Sequence, residues 1–281
     1  MREALVTTSW LEEHLRDHNL RIVDCRWVLG KAGEGRSQYE TSHIPGAVYL
    51  DMETDLSGKA GRESPGRHPL PAKRDFQKIV SDLGITRETV VIAYDQGMGM
   101  PAPRLWWLLR YYGHENTLVL DGGWDLWVKE GHSVDQVIPQ FSPADFFARP
   151  KKKWVLDKVA VDELRDQPEV LVLDARSPER YRGDVEPIDP KAGHIPGAKN
   201  FPYTLTINPA TGRFHSPQRL KQEFEKMEMG QVKTIISYCG SGVTACTNLL
   251  ALYLAGFDGI LYEGSWSDWS QDQSLPVQTS C

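Results

Sequence analysis

The sequence predicts an α/β protein of two tandem domains, each a parallel sheet flanked by helices. Three observations carry that prediction. Short runs rich in Val, Ile and Leu alternate with longer segments of helix length, the order that builds parallel sheets with crossover helices. The order of motifs in the first half of the chain recurs in the second. At 281 residues the chain has room for two domains of ordinary size.

In the first half, Thr7-Thr8-Ser9-Trp10-Leu11-Glu12-Glu13 reads as the capped start of a helix over 9–17. A strand over 20–26 ends in Asp24-Cys25-Arg26 and passes into a polar loop that closes on His43-Ile44-Pro45-Gly46-Ala47. Residues 54–71, rich in Gly, Pro and charge, read as loop. A helix over 75–83 precedes a strand over 89–95. After the loop Gln96-Gly97-Met98-Gly99-Met100-Pro101 a helix begins near Pro103, and a strand over 117–120 leads into Asp121-Gly122-Gly123-Trp124.

The second half repeats this list: a strand ending Asp174-Ala175-Arg176, then His194-Ile195-Pro196-Gly197-Ala198, a helix over 218–227, a strand over 234–238 and a block ending Glu263-Gly264-Ser265-Trp266. The matches are ordered and nearly constant in spacing, with offsets between 142 (Trp124 to Trp266) and 151 (His43 to His194). That pattern marks a duplicated domain. The expected boundaries are 1–140 for the first domain, 141–157 for a linker flanked and interrupted by Pro139, Pro143 and Pro150, and 158–281 for the second.

Composition narrows the function. A formal charge of −6, with Lys151-Lys152-Lys153 as the one basic run, argues against nucleic-acid binding. No apolar run has membrane-spanning length, and the N-terminus has no apolar signal core, so a cytoplasmic protein is expected. Cys25, Cys239, Cys246 and Cys281 show no paired metal spacing; neither a metal site nor a disulfide framework is expected.

The richest stretch is the strand 234–238, Cys239, the loop Gly240-Ser241-Gly242-Val243 and the apolar helix that follows, closed by Gly256. A cysteine at a strand end facing a helix N-terminus is where loop N–H groups and the helix dipole favour a thiolate. The first copy has Asp95 at this position, so one copy is expected to be active and the other to help form the cleft. Cys239 is the expected nucleophile, towards sulfur or phosphorus. A phosphatase needs an arginine six positions on to clamp phosphate; this chain has Ala245, which favours sulfur and a Cys239 persulfide. Asp174 and Arg176 are expected to brace the loop, His43 and His194 to stabilise turns, Cys246 to be packed and Cys281 to be a free tail thiol.

The duplicated halves, the paired His-Ile-Pro-Gly-Ala motifs, the Asp-Gly-Gly-Trp and Glu-Gly-Ser-Trp ends and the single surviving loop cysteine resemble the two-domain rhodaneses, the sulfurtransferases. The resemblance covers nearly the whole chain and implies two rhodanese-like domains. Cys239-Gly240-Ser241-Gly242-Val243-Thr244-Ala245 is similar to the active loop of 3-mercaptopyruvate sulfurtransferases. It implies transfer of a sulfane sulfur from a small anionic donor, 3-mercaptopyruvate or else thiosulfate. The acceptor would be cyanide or a thiol, such as a small thiol or a thioredoxin-like protein. No cofactor is needed, because the cysteine carries the sulfur. The family pattern assigns donor binding to Arg180 and to the loop residues Gly240, Gly242, Val243 and Thr244. It assigns a Ser–His–acid relay to Ser241, His68 and Glu53. A second donor-binding arginine of mercaptopyruvate enzymes has no counterpart in 184–190, leaving Arg182 or Lys191 as substitutes. A thiosulfate-preferring enzyme and a non-catalytic persulfide carrier are the alternatives.

Overall fold

The structure, a computed structural model, describes residues 2–61 and 64–280. Arg62 and Glu63 of the expected loop, and Cys281, lie outside the described residues.

The first half runs β1 (Leu5–Val6), α1 (Thr8–His14), β2 (Leu20–Asp24), α2 (Glu34–Thr41), β3 (Val48–Tyr49), α3 (Lys73–Asp82), β4 (Val90–Tyr94), α4 (Ala102–Tyr111), β5 (Thr117–Leu120) and α5 (Gly123–Lys129). The second runs β6 (Val155–Leu156), α6 (Lys158–Leu164), β7 (Val170–Asp174), α7 (Pro178–Arg182), β8 (Lys199–Asn200), α8 (Pro217–Glu225), β9 (Thr234–Tyr238), α9 (Thr244–Ala255), β10 (Ile260–Tyr262) and α10 (Ser265–Trp269). Each half forms a five-stranded parallel sheet, in the orders β1-β5-β4-β2-β3 and β6-β10-β9-β7-β8. The registers coincide: Asp24 sits opposite Tyr94, and Asp174 opposite Tyr238. The central strands β4 and β9 are buried along almost their whole length, as strands of a parallel sheet covered on both faces must be.

The repeated motifs meet at one place in each half. Arg26 clamps the Asp24 carboxylate, donates to the Ser42 carbonyl at 2.6 Å and lies 4.2 Å over the Trp124 ring. Arg176 does the same with Asp174, the Gly193 carbonyl at 2.7 Å and Trp266 at 4.5 Å. His43 and His194 are buried, stack on Tyr39 and Tyr181, and bond those residues' carbonyls through Nδ1 at 2.7 Å. Both histidines therefore hold turns, as expected.

Several details differ from the sequence expectation. The helix capped by Thr7, whose Oγ1 accepts from the Trp10 amide at 3.1 Å, ends at His14 rather than at residue 17. The polar stretch before His43 contains α2, which has no apolar stripe and is anchored by one buried ring, Tyr39, whose hydroxyl donates to the Ala47 carbonyl at 2.8 Å. Within 141–157, Arg149 and Lys151 donate their amides to Tyr112 and Tyr111 of the first half, and Val155–Leu156 forms the edge of the second sheet.

The two halves share one core. Ala102 to Leu109 of α4 are all buried, as is α9 except for Thr244 and Tyr253, and the two helices pack against each other. Helices apolar all round belong in such interiors. Each fully buried Leu contributes roughly 1.5–3 kcal/mol. This seam brings the carboxyl end of β9 against the 53–70 loop of the first half, the location where open α/β sheets bind ligands.

Candidate active site

Cys239 follows directly on β9 and is 2% exposed. Its backbone is braced by the next repeated block: its amide donates to Ser265 Oγ at 3.1 Å and its carbonyl accepts from the Trp266 amide at 2.9 Å. The chain then turns at Gly242, whose φ of +81° is left-handed and whose amide donates to Cys239 Sγ at 3.1 Å. A Cβ there would stand 2.7 Å from the Glu263 carbonyl oxygen, so the position requires glycine twice over. Val243 and Thr244 lead into α9.

The copy that has Asp95 at this position shows what the loop geometry gathers. The Asp95 carboxylate accepts from the amides of Gly97 at 2.8 Å and Ala102 at 3.0 Å, with those of Gly99 and Met100 also directed at it. Burial raises the Asp95 pKa, and these amides pull it back down. The loop is an anion cradle: one half fills it with its own carboxylate, and the other presents a cysteine there.

A cleft of about 90 Å³ opens above Cys239, and both halves line it. From the second half come Gly240, Ser241, Val243, Thr244 and Arg180; from the first come His68 and Arg67. His68 Nδ1 lies 2.7 Å from Ser241 Oγ, and its Nε2 lies 3.0 Å from Glu53 Oε2. The carboxylate selects the Nε2–H tautomer, which leaves Nδ1 to accept the serine O–H. Burial lowers the His68 pKa, and the Glu53 charge opposes that shift. The three residues expected to form a relay are thus in hydrogen-bonded sequence, although Glu53 and His68 come from loops of the first half.

Arg180 is oriented by carboxylates. It makes a forked contact with Glu186 at 2.7–3.1 Å and meets Asp189 at 3.1 Å. Arg67 pairs with the other oxygen of Asp189, and its amide donates to Ser267 Oγ at 3.0 Å. A Cβ on Gly240 would lie 3.2 Å from Arg67 Nη2 and 3.4 Å from Arg180 Nη1, so two guanidinium groups flank the start of the loop. This corrects the expected substitutes for a second arginine. Arg182 pairs with Asp184 and Lys191 donates to the Asp272 carbonyl; neither lines the cleft, whereas Arg67 does.

Asp174 and Arg176 are buried beneath the loop and do not reach the cleft; Arg176 also touches Glu186 at 3.3 Å and so links the strand end to the Arg180 cluster. Cys246 is packed on α9 with its thiol 3.3 Å from the Gly242 carbonyl, and burial pushes its pKa up to about 12. A larger cavity, about 290 Å³, opens at the far ends of α4 and α9 among Trp106, Trp154 and Tyr253. Its lining has no cysteine, histidine or serine, so the smaller cleft is the candidate site. Among the described residues no helix is long and apolar enough to cross a membrane.

Comparison with known proteins agrees with this arrangement. Residues 7–130 and 157–272 each match the model of the rhodanese-like domain. A probable 3-mercaptopyruvate sulfurtransferase of Pseudomonas aeruginosa is 40% identical over 278 residues, 98% of both chains. The thiosulfate sulfurtransferase of Bos taurus is 35% identical over 95% of this chain and 91% of its own. The crystal structure of SseA from Escherichia coli, described under the 3-mercaptopyruvate sulfotransferases, superposes with a TM-score of 0.83 at 32% identity, covering 95% of this chain and all of that one. Two rhodanese-like domains, one of them carrying a cradled cysteine, fill almost the whole sequence: the chain belongs to the two-domain rhodanese family.

Proposed function

We propose that this sulfurtransferase takes its sulfur from 3-mercaptopyruvate and passes it through a Cys239 persulfide to a thiol acceptor, with cyanide as a substitute acceptor. The observation that carries the choice of donor is the Ser241–His68–Glu53 chain beside Cys239. Thiosulfate releases sulfite, a stable anion that requires no proton at the moment of cleavage. Mercaptopyruvate releases an enolate carbon, which must be protonated to give pyruvate.

The Cys239 thiolate attacks the donor's thiol sulfur. The carbon–sulfur bond breaks and its electron pair stays on carbon as the enolate of pyruvate. Ser241, held by neutral His68, supplies a proton to that enolate and regains one from the donor's thiol, leaving an anionic persulfide and pyruvate. The Gly242 amide and the loop around it stabilise the sulfur anion, as the equivalent amides hold the Asp95 carboxylate. An acceptor thiol then passes its proton to the outer persulfide sulfur and attacks that sulfur as the thiolate; the S–S electron pair returns to Cys239, leaving the acceptor persulfide and the Cys239 thiolate. Arg180 and Arg67 bind the donor's carboxylate and offset its repulsion by the thiolate.

Cys239→Ser should abolish transfer from every donor, and retained transfer would sink the mechanism. Ser241→Ala and His68→Ala should lower kcat/KM for mercaptopyruvate by about 10²–10⁴-fold, the usual contribution of positioned acid–base groups, and affect thiosulfate much less. Equal losses with both donors would remove the relay from the reaction.

A further inference from the structure

Arg104 is fully buried at the seam between the halves, on the helix α4 of the inactive copy. Its guanidinium donates to three backbone carbonyls: His68 at 3.0 Å, Gly242 at 3.2 Å and Leu56 at 3.4 Å. Among the described residues no carboxylate forms an ion pair with it. Glu263 acts on it only through longer-range charge, its own carboxyl receiving the Leu70 amide. A buried cation without a bonded counter-ion is costly to fold around. Its three acceptors lie on the segments that carry the chemistry. Leu56 follows Glu53, His68 is the relay histidine, and Gly242 belongs to the cysteine loop.

Gly242 is held at both ends. Its N–H meets Cys239 Sγ, while its carbonyl faces Arg104 and also accepts from the Cys246 thiol at 3.3 Å. The Gly242 carbonyl shares its peptide unit with the Val243 N–H, and in a trans peptide the two point in opposite directions, so holding the carbonyl on Arg104 fixes the orientation of the 242–243 peptide next to the one whose N–H meets the sulfur. A released carbonyl would be free to rotate a negative dipole towards the thiolate. The same side chain fixes the His68 peptide, whose imidazole must stay within bonding distance of Ser241 across the domain boundary.

We propose that Arg104 is a positioning residue for sulfur transfer, locking the relay loops of the inactive half and the cysteine loop of the active half into one geometry. It does not line the cleft, so it acts through Gly242 and His68 rather than on the donor. This rests on the reading of Cys239 as the sulfur carrier.

The test compares the full-length wild type with Arg104→Met, Arg104→Gln and Arg104→Lys. It follows steady-state kcat and KM for mercaptopyruvate, the rate at which Cys239 gains one sulfur by mass spectrometry, and folding by circular dichroism. Arg104→Met should lower kcat and the persulfidation rate about 100-fold, the scale of loss for small misplacement of a catalytic group. KM should stay within about threefold, because no donor contact is removed. Lysine keeps the charge but loses the fork, so Arg104→Lys should recover about tenfold of the loss. A folded Arg104→Met with wild-type kcat overturns the proposal. So does a loss confined to KM, or an Arg104→Lys no faster than Arg104→Met. If the methionine variant does not fold, the other two decide: wild-type persulfidation in a folded Arg104→Gln or Arg104→Lys overturns the proposal equally. A wild type that never persulfidates Cys239 refutes the functional reading itself. Wild-type persulfidation unchanged in the variants refutes only the role of Arg104.

Discussion

His68 carries the clearest pH signature. In the proposed relay it works as the neutral imidazole, because a protonated Nδ1 cannot accept the Ser241 O–H. Burial is the main influence on its pKa and lowers it, with Glu53 opposing. Activity with mercaptopyruvate should therefore be lost as pH falls, with the acid limb of kcat below the usual histidine value of about 6.5. Glu53→Gln removes the upward pull and should move the limb lower still. A limb at or above the ordinary value, or one unmoved by Glu53→Gln, would contradict the relay. Arg180→Ala should raise KM for mercaptopyruvate roughly 10–100-fold, the equivalent of a charged hydrogen bond worth about 1.5–3 kcal/mol, with kcat less affected. Unchanged KM would take Arg180 out of the site. Cys239, Ser241, His68, Glu53 and Arg180 were legible in the sequence, the last four only through the family resemblance. Arg67 was missed because it sits in a Gly/Pro loop without periodicity, although it adjoins His68. Arg104 was missed because an arginine in an apolar helix reads as a side chain reaching out to water, and nothing local shows three carbonyls waiting for it.

At the scale of the elements, the loop between β9 and α9 is set by backbone as much as by side chains. Gly242→Ala places a Cβ 2.7 Å from the Glu263 carbonyl and forces an L-residue into the left-handed region. The left-handed conformation alone costs about 1–2 kcal/mol, so the unfolding free energy from denaturant titration should fall by at least that much, and transfer should fall with it. A variant with wild-type stability and rate would show that the loop is looser than its geometry implies. Strands β2, β4, β7 and β9 and helices α3, α4, α8 and α9 were readable from continuous apolar runs or amphipathic spacing. The edge strands β1 and β6 are two residues long and exist only because a neighbouring strand offers hydrogen bonds. Likewise α2 depends on one buried tyrosine. Such elements are tertiary in origin and leave little local trace.

At the scale of the whole molecule, the half that has Asp95 in place of a cysteine still contributes to the cleft. Cys239, Ser241 and Arg180 come from the second half, while Glu53, Arg67 and His68 come from the first, and α4 packed on α9 holds the two sets in register. The duplication was visible in the sequence; the packing that makes one cleft from two halves was not, because it depends on which helix faces meet. The seam also carries the bond from Thr247 Oγ1 to the Gly99 carbonyl, 2.5 Å, which ties the start of α9 to the loop that cradles Asp95. The measurement that bears most directly on the central claim is kcat/KM for mercaptopyruvate relative to thiosulfate, with one common thiol acceptor, in the wild type and in His68→Ala. A relay that serves carbon protonation predicts a wild-type ratio well above one that collapses in the variant by about 100-fold or more. A wild-type ratio below one, or a ratio that His68→Ala leaves unchanged, would contradict it.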